Sequence, residues 1–151
     1  MAKSLEKYDK SWDFCSQSDV LGNVNKKTFP IPFFSIIGLF AEDANYELRE
    51  CHVQGHRLFI RGYTRGKANE LMLRYNYGCE KMLVVARIEF IHKRKGKMTE
   101  LYRILKRVQR KYHTGPIVIE SVQTEEMKAW CLKNNFKEMA NRESCYIQPL
   151  K

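Results

Sequence analysis

"MLVVARIEFIHKRKGKMTELYRIL", the stretch from Met82 to Leu105, decides the fold because its hydrophobic period changes in the middle. Its first part alternates between an apolar face and a face that carries Arg87 and Glu89, which is the pattern of a sheet strand. Its last part has apolar residues at the three-and-four spacing of an amphipathic helix. This stripe runs past the quoted stretch and consists of Met98, Leu101, Tyr102, Leu105, Val108 and Tyr112. The sequence therefore predicts a strand, a basic loop and a helix.

Upstream of this stretch, the pattern predicts further strands. "YELRECHVQGHRLFIRGY", from Tyr46 to Tyr63, alternates on both sides of Gly55, which predicts an antiparallel hairpin. "ELMLRYNYG", from Glu70 to Gly78, fits a strand or a short helix, with the strand favoured.

Downstream, "TGPIVIESV" predicts a short buried strand and "TEEMKAWCLKNNF" predicts a helix with acidic residues in its first turn. "ESCYIQPL" predicts a last strand. The order of strand, helix, strand and helix is typical of an α/β layer.

The whole chain of 151 residues is predicted to be one domain, with weak patterning in residues 1–45. A short helix and then an extended proline-containing segment are expected there. The apolar run Phe29–Ala41 is too short to span a bilayer and contains Pro30 and Pro32, so we expect it in the core or in a cleft wall. No secretory leader is recognised at the start, and no membrane association is expected.

The cysteines are odd in number and scattered, without the spacing of a metal site. They are Cys15, Cys51, Cys79, Cys131 and Cys145. Free thiols, a cytoplasmic location and no metal are therefore expected. The net charge of +10 favours anionic partners such as phosphates, nucleic acids or acidic surfaces.

The basic loop between the predicted strand and helix is the candidate binding site. The N-terminus of a helix has unpaired backbone N–H groups and the positive end of the dipole, and Gly96 allows close approach of a ligand. These features suit a pyrophosphate. A solvated basic loop in front of an ordinary helix fits the same residues, and the spacing alone does not separate the two interpretations.

The stretch from about Leu83 to Leu150 resembles the cofactor-binding half of the GNAT N-acetyltransferase superfamily. That family has a strand, then Arg/Gln-x-x-Gly-x-Gly/Ala, then a helix, and here Lys93-Arg94-Lys95-Gly96-Lys97-Met98 stands in that place. Lys93 replaces the usual Arg or Gln, and Met98 replaces the second Gly or Ala. Downstream, Phe136 matches the Phe of the family's next helix.

The resemblance implies a single GNAT-like α/β domain, with a mixed, mostly antiparallel sheet that is flanked by helices and splayed at the cofactor-binding strands. It implies acetyl-CoA as co-substrate, with an amine acceptor that the sequence does not identify. The residues implied to bind the cofactor form one run: Lys93, Arg94, Lys95, Gly96, Lys97, Met98 and Thr99.

Three residues are candidates for catalysis. Glu89 is the candidate base, because it lies on the strand that enters the loop and acetyl transfer needs a deprotonated amine. A structural ion pair with Arg87 fits Glu89 equally well. Cys131 stands where the family has a tyrosine that protonates the leaving thiolate, and Tyr146 on the last strand is the other candidate acid. For both, a place in the core is the commoner role.

A second function remains open from the sequence. The helix 98–112 carries basic residues on its outward side, namely Arg103, Lys106, Arg107, Arg110 and Lys111. This pattern also fits a nucleic-acid-binding or inhibitory module on a degenerate acetyltransferase fold.

Overall fold

The computed structural model describes residues 33–149, apart from residue 55, residues 78–80 and residue 94. The helices are α1 (Phe33–Asp43), α2 (Lys97–Tyr112) and α3 (Glu125–Lys133). The strands are β1 (Leu48–Gln54), β2 (Arg57–Thr64), β3 (Lys67–Tyr77), β4 (Met82–Glu89), β5 (Ile117–Ile119), β6 (Lys137–Glu138) and β7 (Tyr146–Gln148).

Within these residues the strands form a seven-stranded sheet in the order β1-β2-β3-β4-β5-β7-β6. The neighbours β4 and β5 are parallel, and the other neighbours are antiparallel. Helix α2 makes the connection between β4 and β5, as a parallel pair requires. The predicted mixed, mostly antiparallel sheet with flanking helices is confirmed.

The parallel pair separates halfway along β4. Residues Leu83–Val85 pair with Ile117–Ile119, and the last bond in this direction joins the N–H of Glu120 to the carbonyl of Val85, at 2.9 Å. Beyond it, β4 continues to Glu89, whereas the N–H of Val122 donates to the carbonyl of Ser144 on the other side. The predicted splay is therefore confirmed, and it opens a gap beside the end of β4.

The hydrophobic core lies between the sheet and the helices. The apolar stripe of α2 is confirmed where its side chains are described, since Leu101, Leu105 and Val108 are buried. The side chain of Tyr112 lies outside the described residues. Each buried aliphatic side chain stabilises the fold by about 1.5–3 kcal/mol, so this stripe fixes α2 against the sheet.

The extended segment expected before Ala44 is wrong for residues 33–43, which form α1. Ile36, Ile37, Leu39 and Phe40 are fully buried in this helix, which confirms the expected core position of the apolar run. A helix that is apolar on most sides has no clear amphipathic period, so its pattern resembles an irregular apolar segment. Pro30 and Pro32 lie outside the described residues.

The remaining elements follow the sequence pattern closely. The hairpin of β1 and β2 is confirmed by the pairing of Gln54 with Arg57, although Gly55 itself lies outside the described residues. The ambiguous segment after Glu70 is part of β3. The short strand β6 was not predicted, because its two residues are exposed and pair with β7 alone in the described sheet. In the part of the chain that the structure describes, the helices are too short or too polar to cross a membrane.

Candidate functional site

A cavity of about 580 Å³ lies at the gap beside β4. Its wall is formed by the end of β4, the loop after it, the first turn of α2 and the first turns of α3. The apolar part of the wall consists of Ile88, Phe90, Met98, Met127 and Trp130. This size and lining are typical of small-molecule and cofactor sites.

Gly96 is the last residue of the loop before α2, and no side chain of the described residues caps the helix. Its φ of 73° is in the left-handed region, which glycine adopts without strain. A Cβ on Gly96 would meet no heavy atom of the described residues within 4 Å, so the backbone is open to them on that side. The first N–H groups of the 16-residue helix and its positive dipole end therefore border a cavity that can hold an anionic group.

The structure brings most of the predicted cofactor-binding residues together. The cavity wall includes Lys93, Gly96, Lys97, Met98 and Thr99. Lys95 is exposed and outside this wall, and Arg94 lies outside the described residues. Met98 also packs against the core, so its bulk forms the side of the cavity.

The two lysines in the wall differ in mobility. The ammonium of Lys97 lies 2.7 Å from Oε1 of Glu42, and the Lys97 side chain is 12% exposed. Lys93 is 68% exposed, and its Nζ lies 3.7 Å from Oε2 of Glu89. Lys97 is held in a salt bridge, whereas Lys93 can turn toward a bound anion.

Glu89 lies in the cavity wall at the end of β4. Its side chain is 59% exposed, and among the described residues its ion pair is with Lys93 and not with Arg87, the alternative that the sequence left open. Arg87 is exposed and outside the wall. The carboxylate of Glu89 is thus reachable both from the cavity and from water.

Cys131 and Tyr146 are buried in the core, away from the cavity wall. Burial raises the pKa of the Cys131 thiol to about 11, because a thiolate there loses its hydration. A thiol with such a pKa is neutral and unreactive at physiological pH. Neither side chain is therefore placed to protonate a leaving group in the cavity.

Trp130 lies in the cavity wall and also makes a polar contact with α2. Its Nε1 donates a hydrogen bond of 3.2 Å to Oγ1 of Thr99, in the first turn of α2. Its ring also packs edge-on against Tyr102, with centroids 5.5 Å apart. Trp130 thereby connects α3 to the start of α2. A half-buried indole N–H usually donates a hydrogen bond. The sequence could therefore predict that Trp130 has an acceptor, but not that the acceptor is Thr99.

Metal ligands do not gather at this site. Across the residues that the structure describes, no three His, Cys, Asp or Glu side chains are arranged to hold a metal ion.

No model of a protein family matches the chain. No curated protein matches it either.

Solved structures resemble it in fold. An acetyltransferase from Thermus thermophilus is 14% identical over 65% of this chain and 67% of its own, with a TM-score of 0.49. The PaiA N-acetyltransferase from Thermoplasma acidophilum, in complex with coenzyme A, is 14% identical over 95% of this chain and 87% of its own, with a TM-score of 0.39. The KacTA–DNA complex is 11% identical over 83% of this chain and 89% of that chain, with a TM-score of 0.41.

At these sequence identities and TM-scores, the solved structures give no information about the activity of this chain. The sheet order, the splayed parallel pair and the glycine loop before α2 give the chain a GNAT-like α/β fold.

Proposed function

We propose that the protein is an acyl-CoA-dependent N-acyltransferase, which transfers an acetyl group from acetyl-CoA directly to an amine. One observation carries the proposal: a single cavity connects the open backbone at Gly96 with the splayed end of β4, where Glu89 lies. An anionic group and a reacting group can therefore be bound in the same cavity.

The residues of the cavity fit coenzyme A. Its pyrophosphate would be held by the first N–H groups of α2 beside Gly96, with Lys93 adding positive charge. Its pantetheine arm would lie along the apolar wall of Ile88, Phe90 and Met127. The open space on Gly96 is the observation that supports the fit, because a side chain there would fill the place of the pyrophosphate.

Acetyl-CoA supplies an activated thioester, whose C–S bond breaks as the bond from the amine nitrogen to the acetyl carbon forms. Glu89 would accept the proton that the acceptor ammonium must lose before attack. Its exposure lets the proton pass on to water. The coenzyme thiolate takes a proton from water at the cavity mouth, so no acid in the core is needed.

Titration calorimetry with acetyl-CoA and with coenzyme A tests the proposal. We expect one molecule bound per chain, and acetyl transfer to a panel of primary amines that falls when Glu89 is replaced by Gln. Arg87→Gln is the matched control, since Arg87 is exposed on the same strand but outside the cavity wall. Absence of coenzyme binding to the wild type would overturn the proposal.

A second candidate function is favoured by the outward side of α2. Arg103, Arg110 and Lys111 are exposed there, so a polyanion can reach them. This surface suits a nucleic acid or another acidic partner. Titration with short duplex DNA and RNA at two salt concentrations separates the functions, because contacts with many phosphates weaken steeply with salt.

The thiols of Cys131 and Cys145 form no disulfide with a described residue, which is consistent with the cytoplasmic location that we propose. Cys15 and Cys79 lie outside the described residues.

A further inference from the structure

Asp43, the last residue of α1, is fully buried. A buried carboxylate is costly unless its oxygens accept hydrogen bonds. Oδ2 accepts from the backbone N–H of Ile91 at 2.7 Å and from Nδ2 of Asn69 at 2.9 Å. Oδ1 accepts from the backbone N–H of His92 at 2.9 Å and lies 3.1 Å from His92 Nδ1. Most of the bonds of this carboxylate thus hold the first residues of the loop after β4.

Glu42, the preceding residue, holds the other end of the same loop. Its Oε1 lies 2.7 Å from Nζ of Lys97, the first residue of α2. Two neighbouring residues of α1 therefore fix both ends of the segment 92–97, which contains Gly96. We call this pair of carboxylates, Glu42 and Asp43, the loop clamp.

The loop clamp is itself fixed to the sheet through Asn69 on β3. The Asn69 side chain is fully buried, and its Nδ2 donates to the carbonyl of Phe40 at 2.9 Å as well as to Asp43. Its Oδ1 accepts from the N–H of Gly62 on β2 at 2.7 Å. Because Asn69 connects α1 with two strands, the clamp is anchored to the core.

We propose that Glu42 and Asp43 are positioning residues, which hold the anion-binding loop in its binding-competent shape before coenzyme arrives. The inference rests on the proposed function. A loop rich in lysine and arginine repels itself and samples many shapes when it is free, and binding must then supply the cost of ordering it. If only a tenth of the molecules have a competent loop, the apparent Kd rises about tenfold.

The test is calorimetry with coenzyme A on four proteins: the wild type, Asp43→Asn, Glu42→Gln and the control Glu47→Gln. Glu47 is exposed, lies close in sequence, and loses the same charge. We expect the Kd to rise about tenfold in Asp43→Asn, to rise about threefold in Glu42→Gln, and to stay unchanged in Glu47→Gln.

The sign of the change separates positioning from plain electrostatics. Removing a negative charge near an anion site strengthens anion binding if charge alone acts. Release of the loop weakens binding instead. Coenzyme binding as tight as in the wild type, or tighter, in both Asp43→Asn and Glu42→Gln overturns the inference.

A loss of stability cannot be mistaken for weaker binding, because the Kd of each variant is measured at a temperature at which that variant is folded. Circular dichroism verifies the folding. Should Asp43→Asn not fold, Glu42→Gln decides, since the Glu42 side chain is 32% exposed and its loss leaves the core intact.

Hydrogen exchange tests the clamp without coenzyme. We expect the amides of Ile91 and His92 to exchange about tenfold faster in Asp43→Asn, while the amide of Leu105 inside α2 is unchanged. If the wild type binds no coenzyme, the proposed function fails, and this exchange still decides whether the clamp holds the loop. Equal exchange of Ile91 and His92 in the two proteins overturns the inference.

Discussion

Two short basic stretches, Arg65-Gly66-Lys67 and Lys95-Gly96-Lys97, have almost the same sequence and the same backbone at their glycines. The φ angle is 77° at Gly66 and 73° at Gly96, and in the described part of the chain no heavy atom lies within 4 Å of a Cβ at either glycine. The second stretch borders the cavity beside β4, and the first does not. Their difference separates the proposed binding loop from an ordinary basic turn.

The two glycines differ in the element that comes after each of them. Gly66 closes a hairpin, with Arg65 also at positive φ, and the next residues continue as β3. The residues on either side of this turn are paired in the sheet, Thr64 with Lys67. Gly96 precedes α2, so the N–H groups beside it have no partner in the helix. We therefore attribute the proposed anion site to the helix after the glycine, rather than to the glycine or its basic neighbours.

The largest expected effect comes from Gly96→Glu, compared with Gly66→Glu. A carboxylate at Gly96 would occupy the space for the pyrophosphate and repel it, so the Kd for coenzyme A should rise about a hundredfold or more. Gly66→Glu should leave the Kd unchanged. Calorimetry on both variants gives the answer.

The Gly66 variant also controls for backbone strain. A non-glycine residue at this φ costs about 1–2 kcal/mol, so both variants should lose similar stability in urea unfolding. Equal coenzyme binding by wild type and Gly96→Glu would place the coenzyme elsewhere. Equal weakening in both glycine variants would assign the effect to strain.

The elements from β4 onward could mostly be predicted, because each of them has a hydrophobic pattern within its own short stretch of sequence. The alternation before Phe90 and the stripe that contains Leu101 and Leu105 each indicate one element, and the structure confirms both. Local patterns also separate the two glycine stretches, since a strand pattern comes after Gly66 and a helix pattern comes after Gly96. The resemblance then correctly implied the splayed pair.

The sequence did not predict α1 or the contacts that α1 makes. Its residues are apolar on nearly all sides, so the helical period is hidden. Asp43 bonds to Ile91, 48 positions away, and no local pattern reports a partner at that separation. The two acids at the end of the apolar run are the one sign of a buried carboxylate, and they do not indicate which of the two is buried or which loop it holds.

A smaller change, Gly96→Ala against Gly66→Ala, sharpens the comparison because it adds no charge. Both should lose about 1 kcal/mol of stability from the positive φ. At Gly96 the methyl group would also obstruct close approach of the pyrophosphate, so the Kd should rise about tenfold there and stay unchanged at Gly66. An unchanged Kd in Gly96→Ala would show that the ligand does not approach this backbone closely.

Trp130→Phe tests the contact that connects α3 to the first turn of α2, directly after the Gly96 stretch. The Gly66 stretch is followed by a strand and not by a helix. The change keeps an aromatic ring, although a smaller one, and removes the hydrogen bond to Thr99. One such bond contributes about 1 kcal/mol, and part of that loss should appear as a rise of about threefold in the Kd for coenzyme A. Leu132→Ala, at an exposed site of the same helix, is the control. A large loss of stability with an unchanged Kd would make Trp130 purely structural.

The smallest effect concerns the charges themselves, in Lys93→Gln compared with Lys67→Gln. Lys93 is exposed and only loosely paired with Glu89, so its removal takes away one mobile cation and leaves that carboxylate without its partner. Both changes oppose anion binding, and exposed charges contribute at most about 1 kcal/mol. We expect the Kd for coenzyme A to rise about threefold at low salt and the difference to vanish near about 0.5 M salt, where screening is short-ranged.

Lys67→Gln removes the same charge beside the other glycine and should change nothing at either salt concentration. A loss that persists at high salt would mean that Lys93 makes a direct, desolvated contact, and an equal loss in Lys67→Gln would mean that net charge alone attracts the coenzyme.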